Sequence, residues 1–105
     1  MKEVTPSELK VMIDNKEDFQ LIDVREEHEA DIASIGGELI PMGDVMDNLD
    51  KISRDKKVIL YCRSGNRSGA VAQALEAQQG FTNIYNLNGG ILRWADEIDP
   101  SMPVY

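Results

Sequence analysis

The chain has 105 residues, of which 42% are hydrophobic and 29% are charged, and these proportions are typical of one globular domain over residues 1–105. Its formal net charge of −8 argues against nucleic acid or an anionic membrane as a general partner. A single cysteine cannot form an internal disulfide, and residues 1–6 lack the apolar stretch of a signal peptide. We therefore expect a cytoplasmic protein.

The first half of the chain predicts a helix followed by strands and a helical turn. The helix begins at Thr5, which is a suitable N-cap; Pro6 suits the first helical position and Glu8 completes a capping box. Three further elements are expected, in the order strand, charged helical turn and shorter strand, at residues 19–24, 26–32 and 38–42.

The second half continues the alternation. Asp44 is expected to cap a helix in which Val45, Leu49 and Ile52 share one face. A strand, a helix, a strand and a final helix are then expected at residues 57–62, 68–79, 83–87 and 91–98. Alternation of this kind predicts an α/β fold, with a mostly parallel sheet and helices on both of its faces.

The only cysteine follows an apolar run. Val58, Ile59, Leu60 and Tyr61 lead to Cys62, and charged and turn-forming residues begin immediately after it. A thiol at the carboxyl end of a strand, in front of a helix N-terminus, faces peptide dipoles that lower its pKa. Ligands of open α/β sheets bind at this end of the strands. We therefore predict that Cys62 is a nucleophile and is not buried, the alternative being a small buried hydrophobic residue.

Four segments of the sequence form a recognisable pattern. They are residues 21–26 (LIDVRE), 40–42 (IPM), 61–68 (YCRSGNRS) and 85–94 (YNLNGGILRW). With these segments the chain resembles a single-domain rhodanese, a member of the rhodanese-like sulfurtransferases. The resemblance implies a three-layer α/β domain with a five-stranded parallel sheet. It also implies that the Cys62 thiolate accepts a sulfane sulfur from a small donor such as thiosulfate and passes the resulting persulfide sulfur to cyanide or a thiol, with no metal or organic cofactor.

The loop that follows Cys62 is expected to bind the transferred sulfur and its donor. Its residues are Arg63, Ser64, Gly65, Asn66, Arg67 and Ser68. A persulfide anion is small and charged, so backbone N–H groups of this loop are suitable donors, and Gly65 permits the curvature that they require. Arg63 and Arg67 are expected to attract thiosulfate and to stabilise the leaving sulfite, although each can instead pair with a surface carboxylate.

Two other functions are alternatives to this interpretation. Dual-specificity phosphatases with a related fold have five residues between the cysteine and an arginine, whereas only four separate Cys62 from Arg67 and Ser68 takes the phosphatase arginine's position. The shorter loop argues against phosphate hydrolysis and arsenate reduction. The second alternative is a persulfide carrier or protein-binding module with little turnover of small molecules, which would receive sulfur from a protein persulfide donor.

Several residues outside the loop have expected roles. Asp23 and Arg25 are expected to form an internal ion pair, and His28 is expected to be solvated among acidic neighbours. Gly89 and Gly90 are expected to let the backbone approach the active loop closely. Where many rhodaneses read Gly-His-Ile-Pro-Gly-Ala, residues 33–38 of this chain read ASIGGE, a change expected to affect the connection to the second strand or the pocket wall.

Overall fold

The chain folds around a parallel β-sheet of five strands. The computed structural model describes residues 1–105 without a gap. The strands are β1 (Glu3–Val4), β2 (Gln20–Asp23), β3 (Glu38–Leu39), β4 (Val58–Tyr61) and β5 (Ile84–Leu87). They lie side by side in the order β1-β5-β4-β2-β3, and every neighbouring pair is parallel. The predicted α/β fold with a five-stranded parallel sheet is confirmed.

Helices cover both faces of the sheet. They are α1 (Pro6–Asp14), α2 (Glu27–Ile32), α3 (Asn66–Gln79) and α4 (Gly90–Glu97), with two 3₁₀ segments at Met42–Asp47 and Leu49–Lys51. One hydrophobic cluster joins α3 and the first 3₁₀ segment to one face, and a second cluster joins α1 and α4 to the other. None of these helices has the length and apolar character needed to cross a bilayer.

Strand β4 lies between β2 and β5, and its side chains alternate between the two clusters. Leu60 and Cys62 point to the α3 side, whereas Ile59 and Tyr61 point to the α1 and α4 side. All four are fully buried. Burial on both faces explains the uninterrupted apolar run in the sequence, because a central parallel strand contacts helices on each side.

The helix predicted from Asp44 is wrong in type and in its first residue. The segment begins at Met42 and is a 3₁₀ helix that is interrupted at Asn48, whose Nδ2 donates to the carbonyl of Asp44 at 2.7 Å. A side chain that bonds to nearby backbone competes with regular helical bonding, which accounts for the interruption. Val45 and Ile52 are nevertheless buried together, as the predicted apolar face requires.

One strand was not predicted, and several element boundaries differ from the sequence prediction. Strand β1 was not predicted, because two residues are too few to show a period; it pairs with β5 through Glu3 and Val4. Strand β3 ends at Leu39 rather than at Met42, although the N–H groups of Ile40 and Met42 still donate to the carbonyls of Asp23 and Val24. Helix α3 begins at Asn66, two residues before the predicted start.

Candidate active site

A tight loop connects the end of β4 to the start of α3 and encloses the sulfur of Cys62. Gly65 precedes the first residue of α3 and has a φ of +99°, a left-handed conformation that a side chain disfavours. A Cβ at this position would also meet the backbone nitrogen of Gly89 at 3.3 Å. The turn therefore favours glycine at this position, and a side chain would also crowd the neighbouring backbone.

Three hydrogen-bond donors of the loop converge on Cys62 Sγ. The backbone N–H of Gly65 lies 3.1 Å from the sulfur, the backbone N–H of Ser68 lies at 3.4 Å, and Ser68 Oγ lies at 3.3 Å. Because Ser68 belongs to the first turn of α3, the sulfur also faces the positive end of that helix. The arrangement is suited to an anion the size of one sulfur atom.

These contacts favour the thiolate form of Cys62. Burial raises the pKa of the thiol, but hydrogen bonds from the Ser68 hydroxyl and from the N–H groups of Ser68, Gly65 and Ser64 outweigh burial. The net effect is a pKa below the ordinary value for cysteine. A larger share of the thiol is therefore ionised at neutral pH than in a free cysteine, and the thiolate is the nucleophilic form.

The expectation that Cys62 is not buried is wrong, since the residue is 0% exposed. The charged residues after Cys62 do not expose its sulfur to water, because the loop folds back over the sulfur. The N–H groups of the loop take the place of water as its hydrogen-bond donors. Three hollows mark the surface, and none is lined by a residue of the 62–68 loop. The sulfur therefore sits in a fitted cradle of donors and not beside a wide pocket.

Asn86 completes the site and was missed from the sequence as a functional residue. It is buried at the end of β5, where its Nδ2 donates to the carbonyl of Gly65 at 3.1 Å and its Oδ1 lies 2.5 Å from Ser68 Oγ. Since Nδ2 is engaged by a carbonyl, Oδ1 faces Ser68 and is a second acceptor for its hydroxyl. Ser68 has one hydroxyl proton, so Asn86 Oδ1 and Cys62 Sγ compete for it.

Arg67 is paired with a carboxylate. Its two terminal nitrogens donate to Glu29 Oε1 at 2.7 Å and Oε2 at 2.8 Å. These bonds from Arg67 lower the pKa of Glu29 to about 2, in spite of burial, with a further contribution from the Tyr105 hydroxyl. Arg67 therefore pairs with a carboxylate, which is the alternative that the sequence left open for it. Its charge nevertheless lies near enough to Cys62 to interact with the sulfur.

A second ion pair is buried behind the first, as expected. Arg25 is 0% exposed and donates to Asp23 Oδ1 at 2.9 Å and Oδ2 at 2.8 Å. It also donates to the carbonyl of Ala33 at 2.7 Å and to the hydroxyl of Tyr105 at 2.8 Å. Burial disfavours its charge, but bonds to Asp23 and Tyr105 outweigh burial and raise its pKa. The pair therefore anchors loops around the site.

The remaining loop residues lie closer to solvent. Ser64 and Asn66 are exposed, and Arg63 is half-buried. The guanidinium carbon of Arg63 stands 5.1 Å from the centre of the Tyr105 ring, and no carboxylate lies within 4.0 Å of it. His28 is exposed, in agreement with the expectation that it is solvated. No histidine therefore stands next to the sulfur.

The Gly89–Gly90 turn approaches the active loop, as expected. The N–H of Ile91 donates to the carbonyl of Cys62 at 2.9 Å, and the N–H of Leu92 donates to the carbonyl of Arg63 at 3.1 Å. A Cβ on Gly90, whose φ is +61°, would lie 2.6 Å from the carbonyl oxygen of Cys62. The first turn of α4 is thus fastened to the backbone of the cysteine loop.

The segment at residues 33–38 is fixed by neighbouring side chains. The hydroxyl of Tyr61 donates to the carbonyl of Gly36 at 2.8 Å and lies 3.4 Å from Ser34 Oγ. Gly37 packs so closely on β2 that a Cβ there would meet the carbonyl oxygen of Leu21 at 2.6 Å. Residues 33–38, which depart from the pattern of many rhodaneses, are therefore held in place by contacts with Tyr61 and Leu21.

The fold and the site together define an α/β domain whose one cysteine lies in a cradle of donors at the carboxyl end of a central strand. A family model described as the rhodanese-like domain matches residues 5–97. The chain therefore belongs to the rhodanese-like family.

Relatives and solved structures agree with this assignment. The chain is 37% identical over 101 residues to the putative sulfurtransferase YtwF of Bacillus subtilis, covering 95% of this chain and 96% of that protein. It is 39% identical over 105 residues to the probable adenylyltransferase/sulfurtransferase MoeZ of Mycobacterium tuberculosis, of which it spans only about a quarter (97% of this chain, 26% of MoeZ). A rhodanese-related protein from Thermoplasma volcanium has a TM-score of 0.82 and 30% identity, covering 100% of this chain and 98% of the other.

Proposed function

We propose that this protein is a sulfurtransferase that carries sulfane sulfur as a persulfide on Cys62. The observation that carries the proposal is the convergence of the Gly65 N–H, the Ser68 N–H and the Ser68 hydroxyl on Cys62 Sγ, at 3.1 to 3.4 Å. Donors at these positions stabilise a sulfur anion without a bulky ligand, which is what a thiolate and a persulfide both require. The sulfurtransferase names of relatives over this domain support the same reaction class.

In the first step, the Cys62 thiolate attacks the sulfane sulfur of a donor such as thiosulfate. A new S–S bond forms at Cys62 Sγ, the sulfur–sulfur bond of thiosulfate breaks, and its electron pair leaves with sulfite. The negative charge on the protein moves from Sγ to the terminal sulfur of the persulfide. Loop N–H groups and the α3 N-terminus stabilise this charge.

In the second step, a thiophilic acceptor such as cyanide or a thiolate attacks the terminal sulfur. The persulfide S–S bond breaks, and its electron pair returns to Cys62 Sγ, so the thiolate is regenerated. Cyanide leaves as thiocyanate. No second cysteine exists in the chain to resolve the persulfide, so the acceptor comes from outside it.

The size of the loop supports sulfur rather than phosphate as the transferred group. The N–H groups of Gly65 and Ser68 are hydrogen-bonded to the sulfur itself, in a loop one residue shorter than that of the related phosphatases. Ser68 stands where the related phosphatases have an arginine, and Arg67 is held by Glu29. Phosphate ester hydrolysis therefore lacks an arginine at the position that the related phosphatases use.

A protein donor is a second candidate source of the sulfur. The sulfur of Cys62 is buried, and none of the three surface hollows is lined by a residue of the 62–68 loop. The matching region makes up about a quarter of MoeZ. The name of that protein gives it two activities, adenylyltransferase and sulfurtransferase. We propose that a protein persulfide also loads Cys62, and comparison of its loading rate with that of thiosulfate separates the two sources.

The test is steady-state formation of thiocyanate from thiosulfate and cyanide. A covalent intermediate predicts double-displacement kinetics, in which reciprocal plots at different cyanide concentrations are parallel. Cys62→Ser is expected to abolish turnover and Arg63→Ala to weaken it. Arg54→Ala is the matched control, because Arg54 stacks on Phe81 away from the loop. Turnover that persists in Cys62→Ser would overturn the proposal.

A further inference from the structure

We propose that Tyr105 is a positioning residue for the anion-binding side of the site: its ring holds the guanidinium of Arg63, and its hydroxyl holds the carboxylate of Glu29. The inference rests on the proposed function, because it concerns the attraction of an anionic sulfur donor to the Cys62 loop. Neither the loop motif nor the catalytic scheme gives Tyr105 a role.

Two of the three arginines around the site are neutralised by carboxylates. Arg25 forms a two-bond pair with Asp23, and Arg67 forms a two-bond pair with Glu29. The first pair is buried, and the Glu29 side chain is only 10% exposed. A compensated cation attracts an incoming anion weakly, because the nearby carboxylate repels it.

Arg63 is the uncompensated cation of the loop. It directly follows Cys62, it is half-buried, and it has no carboxylate within 4.0 Å. The contact that holds its guanidinium is the Tyr105 ring, at 5.1 Å. An aromatic face stabilises a cation without cancelling its charge, so Arg63 stays available to an anion.

The Tyr105 ring is itself held firmly. Its hydroxyl accepts a hydrogen bond from Arg25 Nη1 at 2.8 Å and donates to Glu29 Oε2 at 2.9 Å. The directions are fixed, because a guanidinium only donates and a carboxylate only accepts. The ring also packs against the hydrophobic cluster on the α1 and α4 side of the sheet. Because both the hydroxyl and the ring of Tyr105 are held in place, the residue presents a fixed aromatic face to Arg63.

Tyr105 therefore links both loop arginines. Through its ring it orients Arg63, and through Glu29 it orients Arg67. The two contacts predict separable effects, because phenylalanine preserves the ring and removes the hydroxyl, whereas leucine removes both.

The first experiment measures KM and kcat for thiosulfate in Tyr105→Leu, Tyr105→Phe, Arg63→Ala and the double variant Arg63→Ala/Tyr105→Leu. Tyr105→Leu is expected to raise KM about two- to fivefold, the range given by a typical exposed cation–π contact, with a smaller change in kcat. Tyr105→Phe is expected to raise KM less. In the Arg63→Ala background, Tyr105→Leu is expected to raise KM by less than it does in the wild type, because the ring contact is already lost and only the hydroxyl contact remains to be removed.

A second measurement needs no sulfur transfer. Sulfate, an inert dianion, is expected to slow the alkylation of Cys62 by iodoacetamide, and Tyr105→Leu is expected to weaken this protection as much as Arg63→Ala does. If the wild-type protein showed protection but no turnover, the proposed function would fail while the role of Tyr105 stood. Equal protection in wild type and Tyr105→Leu, or additive effects on KM, would overturn the role of Tyr105.

The ring contact is also measurable in the wild-type protein, which keeps the test valid if Tyr105→Leu does not fold. The side-chain protons of Arg63 are identified in the NMR spectrum by their loss in Arg63→Ala. They are expected to be shifted upfield by the ring current of Tyr105. Arg63 signals at ordinary positions would overturn the inference.

Discussion

Glu29 receives both terminal nitrogens of Arg67, at 2.7 Å on Oε1 and 2.8 Å on Oε2. The carboxylate belongs to α2 and the guanidinium to the first turn of α3, so the pair ties the cysteine loop to a helix that is distant in sequence. Of the two loop arginines, Arg67 therefore acts mainly in holding the site together. The sequence motif alone does not show which of Arg63 and Arg67 has this role.

The Glu29–Arg67 pair makes stability depend on pH. The folded pKa of Glu29 is about 2, below the ordinary value of about 4.3 in an unfolded chain. The pair's contribution is therefore present above about pH 4.3 and is lost as the pH falls towards 2. We expect Glu29→Gln to lower the free energy of unfolding by about 1–2 kcal/mol at pH 7, a value reduced because Arg67 is 35% exposed.

Urea unfolding of wild type and Glu29→Gln at pH 7, 4 and 3 measures this effect. The difference between the two proteins is expected to shrink as the pH falls, because protonated Glu29 resembles glutamine. Comparing the pair at each pH removes the contribution of the other titrating carboxyls. A difference that stays constant from pH 7 to pH 3 would show that the charge of Glu29 does not stabilise the fold.

The Ser68 hydroxyl is expected to set the pKa of the Cys62 thiol. Ser68→Ala removes a donor 3.3 Å from the sulfur, so the thiol pKa is expected to rise and alkylation by iodoacetamide at pH 7 to slow. The pH dependence of the alkylation rate measures the pKa in each protein. Intact mass of the alkylated product confirms that one site reacts.

Asn86→Leu is expected to shift the same pKa in the opposite direction. Without Asn86 Oδ1 at 2.5 Å, the only acceptor left for the Ser68 proton is the sulfur, and the thiolate gains a full hydrogen bond. Thermal unfolding accompanies this measurement, because the variant also loses the bond to the Gly65 carbonyl. A pKa that rises in both variants would show that Asn86 Oδ1 and Cys62 Sγ do not compete for the Ser68 proton.

Gly90 is expected to tolerate no side chain. A Cβ there would lie 2.6 Å from the Cys62 carbonyl oxygen, and backbone at that distance must move. We expect Gly90→Ala to cost about 3 kcal/mol or more of stability and to impair sulfur transfer through displacement of the loop.

Gly80→Ala is the matched control for Gly90→Ala. Gly80 also has a positive φ, of +70°, but nothing lies within 4 Å of its Cβ position. Its substitution is expected to cost only about 1 kcal/mol, the price of the left-handed conformation, and to leave transfer intact. Equal losses of transfer in the two variants would contradict the role assigned to close approach at Gly90.

The length of the cysteine loop is expected to determine its selectivity for sulfur. Insertion of one glycine after Ser64, which is exposed, enlarges the loop between Arg63 and Arg67. The N–H groups of Gly65 and Ser68 would then no longer reach the sulfur together. We expect kcat/KM for thiosulfate to fall at least about tenfold, since a lost donor to a developing anion costs that much or more. Unchanged kinetics in a folded insertion variant would remove loop length as a determinant.

Much of the fold is visible in the sequence because the pattern is local. The capping box at Thr5, the buried run of β4 and the glycine after α3 each predict an element from neighbouring residues alone. Strand β1 escapes prediction because its two residues gain their pairing from β5. The break between the two 3₁₀ segments escapes because Asn48 Nδ2 takes the carbonyl of Asp44, a side-chain bond that the apolar period does not show.

The candidate site, like the fold, is predictable from the sequence only in part. The position of Cys62 at a strand end follows from the chain around it, whereas its burial depends on how the loop folds back, which no residue spacing reveals. Asn86 reaches the loop because β5 lies next to β4, and Glu29 reaches it because α2 lies beside α3's first turn. Tyr105 is brought to Arg63 from a segment without a motif. Long-range partners of this kind appear only once the sheet order is known.

The most direct test of the central claim is the intact mass of reduced protein before and after exposure to thiosulfate, with Cys62→Ser measured alongside. A persulfide mechanism predicts a mass gain of one sulfur atom in the wild type, loss of that mass on addition of cyanide, and no gain in Cys62→Ser. Thiocyanate formation without any sulfur-loaded protein, or an equal gain in Cys62→Ser, would contradict a persulfide on Cys62.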